Sequence, residues 1–396
     1  MNANTRIVQD LVVFPERKNA VPKRLYEDAD IYELELERLF AGPYWHPVAH
    51  TGEIPEPGDY KTTMLGELPI LVTHQQNGEI GVFHNACAHR GTLLVTDFMG
   101  KGAEFQCPYH RWLFDNSGRL MGCPGEDQFP DYFRKEDYGL RPIRTESFCG
   151  LIFATLSDAT PPLDEQLGEI RDHLAAAMGG DGRLKLLGYQ KITYSANWKT
   201  YRDQDGYHPP LLHAAFQLLN WQGGKGECVV MDNGNLSLRS ELAHVKNRDF
   251  LKDSSLLDFK GVDPKAGSYV VAPSLLSLNT KHLDMLNIRF GMPRGPLHTE
   301  VHWAYFSHED DDEEMVRHRL RQSSNLLGPS GLVSIEDAAV FNRIQRAIGA
   351  GWDDAYFMKG VRDDLDPRKS GQNDESANQI WWEWYRKAMG FSRAGS

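Results

Sequence analysis

Cysteine and histidine recur in two short pairs, Cys87-Ala88-His89 and, seventeen residues later, Cys107-Pro108-Tyr109-His110. Two thiolates and two imidazoles at such spacing suit either one tetrahedral zinc ion or a two-iron, two-sulfur cluster in which the histidines cap one iron. Either way the segment must fold as two loops that converge. Zinc would make it a structural staple, whereas a cluster would make it an electron port. A chain of 396 residues can bury a full core without a staple. Five cysteines is an odd count, and two stand in this pattern, which argues against a disulfide framework. Cys123, Cys149 and Cys228 read as small buried hydrophobes.

Strand and helix signals surround the pairs. Residues 70–73 and 80–83 are apolar runs separated by Asn77-Gly78, a dipeptide that favours a tight hairpin because both turn positions take positive φ. The first pair follows that hairpin, and a second turn at Asn116-Ser117-Gly118 follows the second pair. Both pairs are therefore expected at the tips of a small β domain, closed by the apolar run 150–156. Ahead of it, residues 30–40 read as a short amphipathic helix capped by Asp28 or Asp30. Beyond it, Pro161-Pro162 opens a helix in which Leu163, Leu167, Ile170, Leu174 and Met178 recur at helical spacing. Strand-like stretches at 184–195, 228–240 and 300–307 predict an antiparallel sheet. Helices are expected over 311–327 and 334–348, and the aromatic run 380–385 must pack. The expected class is α+β: a small all-β domain over 43–158, an N-terminal helical segment over 1–42, and a larger domain over 159–396 with a central antiparallel sheet and surrounding helices.

A second constellation lies in the larger domain, where Asp205, His208 and His213 follow Asn197-Trp198-Lys199. The histidines are five residues apart, about 140° round a regular helix, so one unbroken helix cannot aim both at one ion. Pro209 and Pro210 exclude that helix and let the chain turn. Two imidazoles with one carboxylate form the facial triad of non-haem iron(II) sites, which leaves positions open for dioxygen and substrate. The carboxylate candidates are Asp205 and Asp337. Asp337 shares a helical stripe with Val340, Phe341, Ile344 and Ile348, which is expected to face the core, and a carboxylate there requires a partner. Plainer readings exist: Ser334 and Asp337 have the spacing of a helix cap, and single histidines are commonly structural.

The formal net charge of −12, without a basic run or aromatic-basic stripe, argues against a nucleic-acid surface. No apolar run approaches a membrane span and the N-terminus has no signal-peptide pattern, so a cytoplasmic location is expected. No Gly-rich dinucleotide fingerprint follows a strand, so the chain is not expected to take hydride from NAD(P)H itself.

Taken together, Cys87-Ala-His89-Arg-Gly, Cys107-Pro-Tyr-His110-Arg-Trp, Asn197-Trp-Lys with Asp205-x-x-His208-x-x-x-x-His213, and Asn325-Leu-Leu-Gly-Pro-Ser-Gly-Leu-Val-Ser-Ile-Glu-Asp337 resemble the catalytic α subunit of Rieske-type aromatic-ring-hydroxylating oxygenases over nearly the whole chain. The resemblance implies that Cys87 and Cys107 bind one iron of a Rieske (2Fe-2S) cluster and His89 and His110 the other. It implies that His208, His213 and Asp337 bind a mononuclear Fe(II), with Asp337 selected over Glu336 as the position eight before a glutamine. It makes Asp205 a bridge from His208 to a cluster histidine of a neighbouring subunit, in a homotrimer with or without a small β subunit. Relatives carry a Glu-Asn or Asp-Asn pair before the bridging aspartate; here that stretch reads Thr200-Tyr-Arg-Asp-Gln204.

The implied activity is that of a terminal oxygenase component. It hydroxylates an aromatic ring with O2, typically by cis-dihydroxylation, on electrons from NAD(P)H that arrive through a separate reductase, with or without a ferredoxin. Among relatives, those acting on aromatic carboxylates such as terephthalate, salicylate or benzoate look most similar. Arg289, in a strand-like stretch, is the candidate for gripping a substrate carboxylate bidentately; a structural ion pair is its plain alternative. A monooxygenase, including a demethylating one, would use the same ligands. A non-catalytic protein stabilised by zinc is the remote alternative.

Overall fold

The computed structural model describes residues 12–203, 214–220, 225–242, 245–265, 267–366, 370–371 and 374–395. The chain divides into two compact units, Phe40–Thr160 and a second built from Met1–Leu39 together with Pro161–Ser396.

In the smaller unit, strands β1 (His46–His50), β2 (Asp59–Leu65), β3 (Leu68–His74), β4 (Ile80–His84) and β5 (Met99–Lys101) are followed by β6 (Glu104–Gln106), β7 (Leu113–Asp115), β8 (Leu120–Gly122), β9 (Arg144–Phe148) and β10 (Leu151–Thr155). They form sheets in the orders β4-β3-β2-β5, β8-β7-β6 and β9-β10-β1. The β3–β4 hairpin pairs His74 with Ile80 around Asn77-Gly78, and Gly78 takes the φ of +86° that only glycine adopts without cost. Asn77 does not take the positive φ expected of it, because the turn is longer than two residues, closed by Gln75 N donating to the Glu79 carbonyl at 2.8 Å. Alternate residues of β3 and β4 serve two cores, as the strand period requires. Ile70, Val72 and Val82 pack with Ile152 on one side, while Leu71 and Phe83 pack with Cys87, Cys107 and Trp112 on the other. The hairpin is thus the wall on which the cysteine loops rest.

The larger unit is organised by an eight-stranded, wholly antiparallel sheet made of β11 (Leu184–Tyr194), β12 (Gly226–Val230), β13 (Leu236–Ser240), β14 (Ser268–Ala272), β15 (Ser277–His282), β16 (Met285–Pro293), β17 (Thr299–His308) and β18 (Ser370–Gly371). Its order is β11-β17-β16-β15-β14-β13-β12-β18. Helices α1 (Ala29–Glu35), α2 (Leu163–Leu167), α3 (Arg171–Ala177), α4 (Trp198–Arg202), α5 (Ala214–Leu219), α6 (Glu313–Gln322), α7 (Ile335–Arg346) and α8 (Ser376–Met389) belong to the same unit. The stripe Leu163, Leu167, Ile170, Leu174 and Met178 is buried throughout. It is carried by two helices rather than one, because Gly168 turns to φ +43° between them. Asp28 is the cap of α1 and accepts from the backbone of Asp30 and Ile31.

One buried carboxylate fixes the helix that leads into the histidine segment. Glu35, at the end of α1, accepts from Trp198 Nε1 at 2.7 Å, from Lys199 Nζ at 2.6 Å and from the Tyr385 hydroxyl of α8. Glu35 and Lys199 are both fully buried. Asn197 caps α4 by accepting from Lys199 N at 3.0 Å, and its amide donates to the Pro296 carbonyl at 2.7 Å. Each residue of Asn197-Trp198-Lys199 therefore has a positional task. No helix among the described residues is long and apolar enough to cross a membrane.

Candidate functional site

The two cysteine loops share one backbone pattern. Cys87 N donates to the Thr92 carbonyl and Gly91 N to the Cys87 carbonyl, while Cys107 N donates to Trp112 O and Arg111 N to Cys107 O. Each loop thus closes on its fourth and fifth residues after the cysteine. The fourth is left-handed in both, Gly91 at φ +70° and Arg111 at φ +61°. The histidines are offset within this pattern: His89 is the second residue after its cysteine and His110 the third after its own.

The loops bring the thiols together beneath and the imidazoles together above. Cys87 and Cys107 are 3% and 1% exposed, and their thiols lie within hydrogen-bonding reach of each other. The His89 and His110 rings stand 4.6 Å apart, and His89 stacks on Trp112 at 4.9 Å and 7°. Burial raises the Cys87 thiol pKa. At Cys107 burial acts the same way but is outweighed by the backbone N–H groups of Tyr109 and His110 aimed at sulfur, which leave it lowered. Partial burial, with the charges of His110 and Arg90, lowers His89, which favours the neutral imidazole that ligates metals. Among the described residues no three His, Cys, Asp or Glu side chains converge on one ion-sized point. A thiol pair and a separate imidazole pair, with backbone donors aimed at the sulfurs, fit a two-iron cluster better than a single tetrahedral ion.

Asp205, His208 and His213 lie outside the described residues, as do Pro209 and Pro210. The carboxylate side of that constellation is described. Asp337 sits half-buried in the first turn of α7, and its charge is felt by the Tyr194 phenol, raised chiefly by burial. Glu336, its neighbour, is engaged elsewhere: Oε2 accepts from Ala214 N at 2.8 Å. Ala214 directly follows His213 in sequence, so Glu336 ties the start of α7 to the N-terminal end of α5. Ser334 stands at the cap position of α7 without a side-chain cap bond, and its hydroxyl donates instead to the Leu327 carbonyl at 3.2 Å.

The stripe expected to face the core from α7 needs correction. Phe341 and Ile348 are buried, but Val340 and Ile344 are 39% and 44% exposed. The helix is rotated about 60° from its apolar stripe. Its polar residues cause this: Asn342 accepts from Ser195 N at 2.9 Å and Gln345 from Asn197 N at 2.8 Å. Gln345 also donates to the Tyr26 carbonyl at 3.1 Å. Phe341 meets Tyr194 edge-on at 5.4 Å, which lays α7 against one face of the sheet.

Arg289 lies on that same face. In the register, Arg289 of β16 stands opposite Trp303 of β17, which stands opposite Gln190 of β11, and Tyr194 follows on the same side four residues on. The guanidinium carbon sits 3.7 Å from the centre of the Trp303 ring. Its charge is felt by the Tyr194 and Tyr305 phenols, both raised by burial. Nε is buried without a hydrogen-bond partner, and no carboxylate pairs with Arg289 among the described residues. Among the described residues, then, the ion-pair alternative has no anion.

Two carboxylates escaped the motif reading. Glu35 is described above; Asp203, which caps the C-terminal end of α4, accepts from the Tyr26 hydroxyl at 2.5 Å and from Trp382 Nε1 at 2.9 Å. Burial pushes Asp203 up to about 7, against those two donors. It stands in the stretch where relatives carry their acidic-Asn pair. Only its position two residues before Asp205 could have singled it out.

Comparison with known proteins places this arrangement. The Rieske (2Fe-2S) domain profile matches residues 44–133, and that of the ring hydroxylating alpha subunit (catalytic domain) matches residues 182–390. The chain belongs to the ring-hydroxylating oxygenase α-subunit family, the terminal oxygenases that carry a Rieske cluster and a mononuclear iron and use dioxygen. It is 31% identical to the terephthalate 1,2-dioxygenase terminal oxygenase component subunit alpha 2 of Comamonas sp, over 93% of this chain and 95% of that one. It is also 31% identical to the salicylate 5-hydroxylase large oxygenase component of Ralstonia sp, over 95% of each. A naphthalene 1,2-dioxygenase structure with indole in its active site shares the fold, with a TM-score of 0.79, 20% identity, and coverage of 98% of this chain and 95% of that one.

Proposed function

We propose that this terminal oxygenase hydroxylates an aromatic carboxylate, and that Arg289 holds the carboxylate. The observation that carries the reading is an inward-facing guanidinium stacked on Trp303 with no anion paired to it among the described residues. A guanidinium so placed is pre-organised for a planar, bidentate partner. The terephthalate and salicylate relatives are consistent with it, since both names describe aromatic acids.

In this reading Cys87, Cys107, His89 and His110 hold the cluster within the 43–158 domain. His208, His213 and Asp337 hold the iron within the 159–396 domain, which the 1–42 segment completes. When bound, the two metal groups supply stored electrons and dioxygen chemistry that the side chains alone do not. The chain's own part is to orient the ring and exclude water, while Glu336 takes up Ala214 N beside Asp337. Asp205 links His208 to a cluster histidine of a neighbouring copy, so the working unit is a trimer, with or without a small β subunit, in the cytoplasm. A reductase, with or without a ferredoxin, supplies the electrons.

The test is a panel of benzoates and their neutral amides, assayed with a generic reductase for NADH-coupled product. The acids are expected to be hydroxylated and the amides not. Arg289→Gln should raise KM for every acid about tenfold or more, the loss of a charge-assisted bidentate contact. Equal KM for acids and amides in the parent enzyme would sink the carboxylate reading. Labelled dioxygen separates dihydroxylation, which incorporates both atoms, from the monooxygenase reading, which incorporates one.

A further inference from the structure

Next to Arg289 on the inward face of the sheet is a second set of polar groups without hydrogen-bond partners among the described residues. Thr280 of β15 stands opposite Asn287 of β16, which stands opposite Tyr305 of β17. This cross-strand row is adjacent to the one that holds Arg289 and Trp303, about 7 Å along the strand. Thr280 and Asn287 are 3% and 1% exposed. Thr280 Oγ1 and Asn287 Oδ1 have no hydrogen-bond partner among the described residues. Asn287 is oriented by its amide nitrogen, which donates to Met285 Sδ at 3.2 Å, so its oxygen is the group left over. The Tyr305 hydroxyl is already committed, donating to Gln190 Oε1 at 2.5 Å.

A central sheet strand does not ordinarily bury a hydroxyl and an amide oxygen unpaired, because each such group costs about 1–3 kcal/mol. Placed on the face that also carries Arg289, and that packs through Tyr194 against the helix bearing Asp337, they have the form of a ligand subsite. The unpaired amide oxygen accepts only, and the threonine hydroxyl can accept as well, so the complementary group on the ligand is a donor.

We propose that Thr280 and Asn287 form a second polar subsite for a ring substituent that donates a hydrogen bond, and that the substrate is accordingly an aromatic acid bearing a hydroxyl or amino group. The proposal rests on the reading of Arg289 as the carboxylate anchor and narrows it. A substituent that only accepts, such as a methoxy group or a second carboxylate, leaves the Asn287 oxygen unpaired and is rejected. Sites built to hydrogen-bond a hydroxyl or amine discriminate strongly against analogues that lack it.

The experiment is calorimetric titration of the full chain, purified with its metals and without reductase, using benzoate and the complete sets of hydroxy-, amino- and methoxybenzoates. At least one hydroxy- or aminobenzoate should bind about 100-fold or more tightly than benzoate, and its methoxy counterpart should lose that gain. Asn287→Leu and Thr280→Val should each cut the ratio about tenfold, while Thr280→Ser keeps it. Arg289→Gln should weaken all acids by a common factor and leave the ratio in place. If that variant instead binds benzoate normally, the anchor reading fails, and the ratio still judges the subsite. The subsite is overturned if no donor-bearing acid exceeds benzoate by tenfold. It is equally overturned if the ratio survives both Asn287→Leu and Thr280→Val, which would mean that buried water satisfies these groups.

Discussion

Lys199→Met would leave Glu35 as a fully buried carboxylate stripped of its counter-ion. In the native protein Glu35 and Lys199 are 0% exposed and 2.6 Å apart. At the effective dielectric that describes such sites, their attraction is about 6 kcal/mol, set against a desolvation cost of several kcal/mol for each ion. The pair is therefore close to neutral as a whole and costly to break in half. Lys199→Met and Glu35→Gln should each destabilise the larger unit by about 3–5 kcal/mol, whereas the double variant should recover at least about 2 kcal/mol of the summed loss. Urea unfolding followed by tryptophan fluorescence reads this directly, because Trp198 donates to Glu35 and Trp381 lies edge-on to Trp198 at 6.0 Å. Additive losses in the double variant would refute the argument, since they would show that each residue acts through packing and not through the other's charge.

Three other outcomes are expected. Glu336→Ala frees Ala214 N and should lower iron content after dialysis severalfold at unchanged cluster absorbance; full iron retention would deny Glu336 its role in holding the histidine segment. For Asp203, whose folded pKa is raised to about 7, the favourable contribution is present below the ordinary carboxylate range and is lost as pH rises through about 7, a change of about 4 kcal/mol. Asp203→Asn should therefore flatten the fall in urea midpoint between about pH 4 and about pH 7, and a slope equal to the parent's would show that Asp203 stays ionised. Gly91→Ala meets nothing within 4 Å and should cost only about 1–2 kcal/mol, read as a modest drop in the temperature at which the cluster bleaches. Complete loss of the cluster in that variant would mean that Gly91 does more than supply a backbone angle.

Features that depend on neighbours in sequence were legible. The Cys/His pairs, the Asn77-Gly78 hairpin and the cap at Asp28 are local chemistry, and the structure holds each where its residues place it. Features that depend on distant partners were not. Glu35 looks like any exposed helical glutamate until Trp198, Lys199 and Tyr385 arrive from 163 to 350 positions away. The apolar stripe of residues 335–348 misled because Asn342 and Gln345 bond the backbone of Ser195 and Asn197 and turn the helix. Much of the central sheet was hard to see for a related reason. Ser277, Asn279, Thr280 and Asn287 are buried polar residues, and they break the alternation that marks a strand. Of the four, only Thr280 and Asn287 lie on the face that carries Arg289, while Ser277 and Asn279 lie on the opposite face.

The shared hydrogen-bond pattern of the two cysteine loops gives the molecule its own comparator. Any effect of backbone angle should appear alike at Gly91 and Arg111, which hold the same place in the pattern. Any effect of side chain should not, because His89 and His110 occupy different places, and Tyr109 stands where His89 would be in a true copy. A scan of paired substitutions, one loop against the other in a single protein, would thus separate what the cluster asks of the chain's path from what it asks of particular side chains.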